Sequence, residues 1–255
     1  MRTGTNDYDG RGGPWSRSMA ELTPEEVRLF RHNGFLQLRD PLPDELLCEV
    51  RDLGYDHLAR EVEPVVKDPD GRPIRLSKAL ERDPIFERAI RHPVVIEPLS
   101  SLLGPNFVAI RNRHNHLTLN PSRVRPDAFH RDNRQWTRSL VTIICYLEPT
   151  TLENGCTRVV PGSHLWPGIE PSRLEEDARI AGSGLLEQDV PVPMPAGGLL
   201  VIDSLVFHRI GTNRTEDSRM SMTFGFHAVD EFAAPYDPKR LLISGSYTYG
   251  GNDRA

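Results

Sequence analysis

The feature that most constrains this chain is a change of pattern at Gly104. Before it, apolar residues recur at helical spacing. After it, short strand-like runs over 106–119, 127–132, 138–147, 156–160, 197–203, 205–210 and 218–228 alternate with Pro/Gly turns. Helices first and many short strands later predict a mainly β fold with flanking α. The pattern suits a β-sandwich or barrel, and helices before strands fit a double-sheet barrel buttressed by helices.

The first half carries its own punctuation. In L-T-P-E-E-V-R-L-F-R-H-N-G-F, Thr23 suits an N-cap, Pro24 the first helical position, Glu26 the capping-box partner and Gly34 the C-terminal stop. Phe35 to Leu38 then reads as a strand. Further helices are expected from Asp44 to about Arg60 and from His92 or Pro93 to Leu103. Residues 1–20 read as a flexible tail and 21–255 as a single domain. Segment 163–196, rich in Pro, Gly and charge, reads as a long loop with a short helix near Pro171–Ala181.

Bulk properties narrow the function classes. A net charge of −5 gives no general attraction to nucleic acid or anionic membrane. No apolar run approaches the roughly 20 residues that span a bilayer, and no apolar signal-peptide core opens the chain. Cys48, Cys145 and Cys156 lack zinc-type spacing. The expectation is a cytoplasmic monomer or homodimer acting on a small molecule.

The chemistry gathers in F-H-R-D-N-R-Q-W, residues 129–136. On a strand, His130 and Asp132 would share one face, roughly 6–7 Å apart, with Arg131 on the other. A lone His-x-Asp equally suits a polar surface strand. His208, after the apolar run G-G-L-L-V-I-D-S-L-V-F, offers a third ligand; alone it equally suits a satisfied core histidine. Two histidines and one carboxylate on one face of an ion leave positions open, the arrangement of non-haem Fe(II) oxygenases. Arg219 and Ser221 share a strand face with Thr223. An inward arginine needs a buried anion, which a dicarboxylate cosubstrate or a structural Asp or Glu would supply.

Three stretches, F-H-R-D-N-R-Q-W, L-E-P-T-T-L-E-N-G-C-T-R-V-V-P-G-S-H and F-H-R-I-G-T-N-R-T-E-D-S-R-M-S, resemble the phytanoyl-CoA dioxygenase family, as does the opening L-T-P-E-E-V-R-L-F-R-H-N-G-F-L-Q-L. The similarity spans about residues 22–230. It implies a mainly β fold with flanking α, a double-stranded β-helix (jelly-roll) core with the N-terminal helices on its outer face, and an Fe(II)/2-oxoglutarate-dependent dioxygenase using O₂. By the resemblance His130, Asp132 and His208 are the iron ligands, and Arg219 pairs with the far carboxylate of 2-oxoglutarate, assisted by Ser221. Asn120, Thr142 and Trp136 are further candidates for the cosubstrate pocket. Asn213 matches a recurring family position without an evident physical role. Related iron halogenases have a small residue where Asp132 stands, so halogenation is not expected.

His114-Asn115-His116 is neither a nuclease signature nor, without a following glutamate, a cupin site. Arg113, His114, His116 and Arg131 are candidate substrate contacts; arginines solvated at the surface are the plainer alternative for the basic positions. The expected activity is hydroxylation of a small molecule, plausible in natural-product biosynthesis. The same iron core also supports epimerisation, desaturation or oxidative cyclisation. A cupin-like isomerase or binding protein that uses no 2-oxoglutarate is the rival from another class.

Overall fold

The computed structural model describes residues 20–111, 114–121, 128–132, 140–166, 169, 174–229 and 239–244. Helix α1 (Pro24–Asn33) starts at Thr23 with both capping-box bonds formed and stops at Gly34 in the left-handed region. Strand β1 (Phe35–Gln37) follows, then α2 (Asp44–Ala59). Pattern reading missed the next three elements: β2 (Val65–Lys67), β3 (Pro73–Ser77) and α3 (Pro84–Ile90). Helix α4 (Pro93–Leu103) ends at Gly104 as expected.

The strands are β4 (Phe107–Ile110), β5 (Asn115–Asn120), β6 (Val141–Tyr146), β7 (Thr157–Val160), β8 (Val190–Val192), β9 (Leu199–Asp203), β10 (Phe207–Ile210), β11 (Arg219–Ala228) and β12 (Arg240–Ser244). The larger sheet runs β1-β9-β6-β11-β5-β3-β2, with β4 beside β11 and β12 beside β4. The smaller runs β10-β7-β8. Every strand pair is antiparallel. Two stacked antiparallel sheets fulfil the jelly-roll expectation.

Two expectations need correction. Segment 163–196 is not all loop, because β8 within it closes the smaller sheet; the described helical pieces are 3-10 turns such as Leu174–Glu176. The run 127–132 is not a strand either: among its described residues only His130 makes a ladder contact, an isolated bridge to His208. The tail 1–19 lies outside the described residues. No helix among the described residues is long and apolar enough to cross a membrane.

Period-two patterning sorts the strands into two environments. On β11, Met220, Met222 and Phe224 join the large core shared with Phe30, Leu47, Val50, Phe86 and Leu99 of the helices. Arg219, Ser221 and Thr223 alternate with them and line a cavity of about 400 Å³. Strand β6 repeats the division, with Val141, Ile143 and Cys145 in the core and Thr142, Ile144 and Tyr146 in the cavity. The ladder register sets Thr118, Ser221 and Tyr146 side by side, and likewise His116, Thr223 and Ile144.

Candidate active site

His130 and His208 face each other across the bridge, each donating its backbone N–H to the other's carbonyl, at 3.0 and 2.9 Å. Direct opposition brings the side chains together, and the ring centroids lie 4.4 Å apart. Asp132 is held beside them by its own N–H, which donates to the Ser204 carbonyl at 2.8 Å. One ligand atom from each of the three residues lies within 4.8 Å of the other two. The His-x-Asp pair therefore converges, as expected, although a bridge and a bend replace the strand.

The surroundings prepare these groups as ligands. His130 Nδ1 meets the Ala128 carbonyl at 3.2 Å and His208 Nδ1 the Val206 carbonyl at 3.0 Å. A carbonyl only accepts, so each Nδ1 carries the proton and each Nε2 keeps a free lone pair. Burial pushes His208 down to about 4 against the pull of Asp132, which leaves a neutral imidazole. Burial alone would raise Asp132. His208, His114 and His130, with the Thr142 hydroxyl, outweigh it and hold the carboxyl below its usual range. Thr142 donates to Asp132 Oδ2 at 3.1 Å and also meets the Ser204 hydroxyl at 3.1 Å. Thr142 thus orients the Asp132 carboxylate, and it also lines the cavity.

Arg219 is 3% exposed and lines the buried end of the same cavity. Its Nε donates to the Asn154 carbonyl at 3.2 Å and an Nη to the Gly155 carbonyl. Among the described residues no carboxylate lies within 4.0 Å of the guanidinium, so the structural ion pair considered above is not formed. Burial lowers its pKa, opposed by Tyr146, Cys156 and Glu148. Gly155 has φ +79, and a Cβ there would overlap the Gly211 carbonyl, so the backbone that grips Arg219 needs glycine. Tyr146 and Thr157 also line this end, their hydroxyls 2.6 Å apart, and Arg219 lies 5.9 Å from the Tyr146 ring centre. Neither was singled out from sequence. Tyr146 reads there as one more apolar strand residue, and the available signal was only its parity with Thr142.

Other expectations fare variously. His114 and His116 both line the cavity, and His114 Nε2 lies 3.8 Å from Asp132 Oδ1. Asn120 stands opposite Arg219 in the β5–β11 register, lines a neighbouring cavity and donates to the same Asn154 carbonyl that holds Arg219. Arg131 is corrected. It is 2% exposed and turns away from the cavity, donating to the Ser163 and Trp166 carbonyls at 3.2 and 2.9 Å and stacking on Phe207. Trp136 and Arg113 lie outside the described residues. Asn213 gains a role. Fully buried, it donates to the Asn120 and Asp217 carbonyls and accepts from Thr215, stapling the turn between β10 and β11.

The P-G-S-H turn ties these parts together. Ser163 Oγ accepts the N–H of Phe207, next to His208, while its carbonyl accepts Arg131, next to His130. Gly162 donates to the Asn33 carbonyl, and His164 packs on Gly34, where a Cβ would come within 2.5 Å of the imidazole. The end of α1 and both histidine-bearing segments therefore share one turn.

Two imidazoles and a carboxylate, aimed at one point and open to a cavity, have the donor set of non-haem Fe(II) oxygenases. Residues 30–221 match the profile of the Phytanoyl-CoA dioxygenase (PhyH) family. The "Dioxygenase aneA" of Aspergillus aculeatus is 25% identical over 232 residues, covering 82% of this chain and 73% of its own. Two solved structures share the fold. EctD from S. alaskensis with bound Fe has a TM-score of 0.71 at 17% identity, over 86% of this chain and 81% of its own. The non-haem alpha-ketoglutarate-dependent epimerase SnoN from nogalamycin biosynthesis has a TM-score of 0.70 at 20% identity, over 87% of this chain and 98% of its own. The chain belongs to the phytanoyl-CoA dioxygenase family, and it is a non-haem Fe(II)/2-oxoglutarate-dependent dioxygenase.

Proposed function

We propose that His130, Asp132 and His208 hold the iron, that Arg219 holds the far carboxylate of 2-oxoglutarate, and that the enzyme hydroxylates a small molecule in natural-product biosynthesis. The observation that carries this reading is one cavity lined by both the three candidate ligands and a buried arginine that pairs with no carboxylate among the described residues. Iron and 2-oxoglutarate together, with O₂, supply the oxidation that removes a hydrogen from the substrate. The protein's share is placement. The Ala128 and Val206 carbonyls fix both imidazoles, and Thr142 with Ser204 fixes the carboxylate. The guanidinium of Arg219 presents a fork matched to a carboxylate, with Ser221, Tyr146 and Thr157 supplying hydroxyls beside it. His114, His116 and the apolar side chains of Val66 and Ile74 shape the substrate side.

Three unpaired cysteines suit a reducing cytoplasm. The fold similarity to an epimerase favours a second reading, in which the same ligand set serves epimerisation. Incubation with Fe(II), 2-oxoglutarate and candidate substrates, with succinate and product followed by mass spectrometry, tests both. A product heavier by one oxygen supports hydroxylation, an isobaric product supports epimerisation, and an absence of succinate sinks both.

A further inference from the structure

The cavity has another arginine, at its exposed end. Arg75 stands on β3 directly opposite Thr118 on β5. Paired residues share a sheet face, and both line the cavity with His114 and His116. Its neighbours in the chain are engaged: Arg72 pairs with Asp68 and Asp70, and Arg82 donates to the carbonyls of Ser77, Val62 and Pro64. Among the described residues Arg75 has no hydrogen-bond or ion-pair partner.

Charge then decides what the substrate should carry. Asp132 is the one carboxylate among the described residues that line the cavity. Divalent iron, the Asp132 carboxylate, dianionic 2-oxoglutarate and the Arg219 guanidinium sum to neutrality. Among the described lining residues Arg75 then adds one further positive charge. His116 adds none, since burial, reinforced by His114 and Arg75, pushes it down to about 4. Beside Arg75 the wall is apolar, with Val66, Ile74, Ile144 and Ile210. Ile74 and Ile210 also line an adjoining cavity of about 300 Å³ that adds Leu119 and Pro121, with Asp68 and Asp70 paired to Arg72 along its wall.

We infer that the substrate is a monoanionic carboxylic acid with an apolar body, its carboxylate held by Arg75 at the cavity mouth and its body against Ile74 and Ile210. The inference rests on the proposed assignment of the iron and cosubstrate positions. It differs in kind from the Arg219 site, because Arg75 is exposed and gains a dry environment only when a ligand covers it.

Titration calorimetry under argon, with Fe(II) and saturating 2-oxoglutarate, tests it using 4-phenylbutyrate against 4-phenylbutyramide and octanoate against octanamide. Each acid should bind the wild-type protein at least about tenfold more tightly than its amide. Arg75→Met should erase that preference while leaving amide affinity unchanged, and Arg75→Lys should keep part of it. Should the methionine variant fail to fold, Arg75→Gln serves. Equal binding of acid and amide, no binding of either, or an acid preference that survives in Arg75→Met overturns the proposal. Wild-type protein that takes up neither iron nor 2-oxoglutarate would instead refute the assignment beneath it. The same acid–amide comparison on metal-free protein still reads Arg75 in that case, the preference surviving only if Arg75 is the contact.

Discussion

Two arginines, Arg219 and Arg131, are buried, and one motif holds both. The Asn154 and Gly155 carbonyls, at the start of the N-G-C-T-R-V-V-P-G-S-H run, grip Arg219. The Ser163 carbonyl near its end grips Arg131. Both side chains are 3% exposed or less, and each donates to backbone carbonyls. Yet Arg219 lines the cavity and Arg131 does not. Two donor atoms of Arg131, Nε and Nη1, are buried with no partner among the described residues, and its Cζ lies 4.7 Å from the Phe207 ring centre. Burial pushes Arg131 down to about 10, against the pull of Asp203. Burial and partner type alone do not separate the two. What separates them is the open volume on the free side of the guanidinium.

The largest expected effect is at the three candidate iron ligands. Alanine at His130, Asp132 or His208 should abolish tight iron binding and 2-oxoglutarate turnover, since removing one of three facial ligands leaves too few donors. Iron stoichiometry by elemental analysis of each purified variant reads this, and full retention in any one would remove that residue from the set.

Next come the arginines themselves, which should respond oppositely. Charge-assisted hydrogen bonds contribute roughly 1.5–3 kcal/mol, so Arg219→Ala should weaken 2-oxoglutarate by roughly ten- to 150-fold while iron binding persists. Arg219→Lys should recover only part, for want of the planar fork. Arg131→Met should do the reverse, costing about 1.5–3 kcal/mol of folding stability with 2-oxoglutarate affinity unchanged. Denaturant melts alongside a cosubstrate titration compare the pair. Weakened cosubstrate binding in the Arg131 variant would erase the distinction.

The smallest expected effect is at Ser163. Its alanine variant leaves the buried Phe207 N–H without its 2.7 Å acceptor, a loss of about 1–2 kcal/mol. The same denaturant melts read it, and an unchanged midpoint would show that the turn does not brace the His208 segment.

The legible parts of this chain share a physical character. Helix α1 was readable because Thr23, Pro24, Glu26 and Gly34 encode its ends through local bonds. The inward row Arg219, Ser221, Thr223 was readable because strand parity is local too. The Asp132 environment was not, since Thr142 and Ser204 reach it from β6 and from the turn after β9. Tyr146, Thr157 and Arg75 escaped for the same reason: their importance comes from which strands lie adjacent, and register is not written in any one of them. The β2–β3 hairpin that carries Arg75 is short and broken by Pro69 and Gly71, which hid its strands.

The central claim is that one cavity holds iron on His130, Asp132 and His208 and 2-oxoglutarate on Arg219. Anomalous diffraction at the iron edge, on crystals grown anaerobically with Fe(II) and 2-oxoglutarate, tests it most directly. The account predicts a single iron peak among His130 Nε2, His208 Nε2 and a carboxylate oxygen of Asp132, with the cosubstrate's far carboxylate against Arg219. An iron peak between His114 and His116, or a cosubstrate carboxylate paired with another arginine, would contradict it.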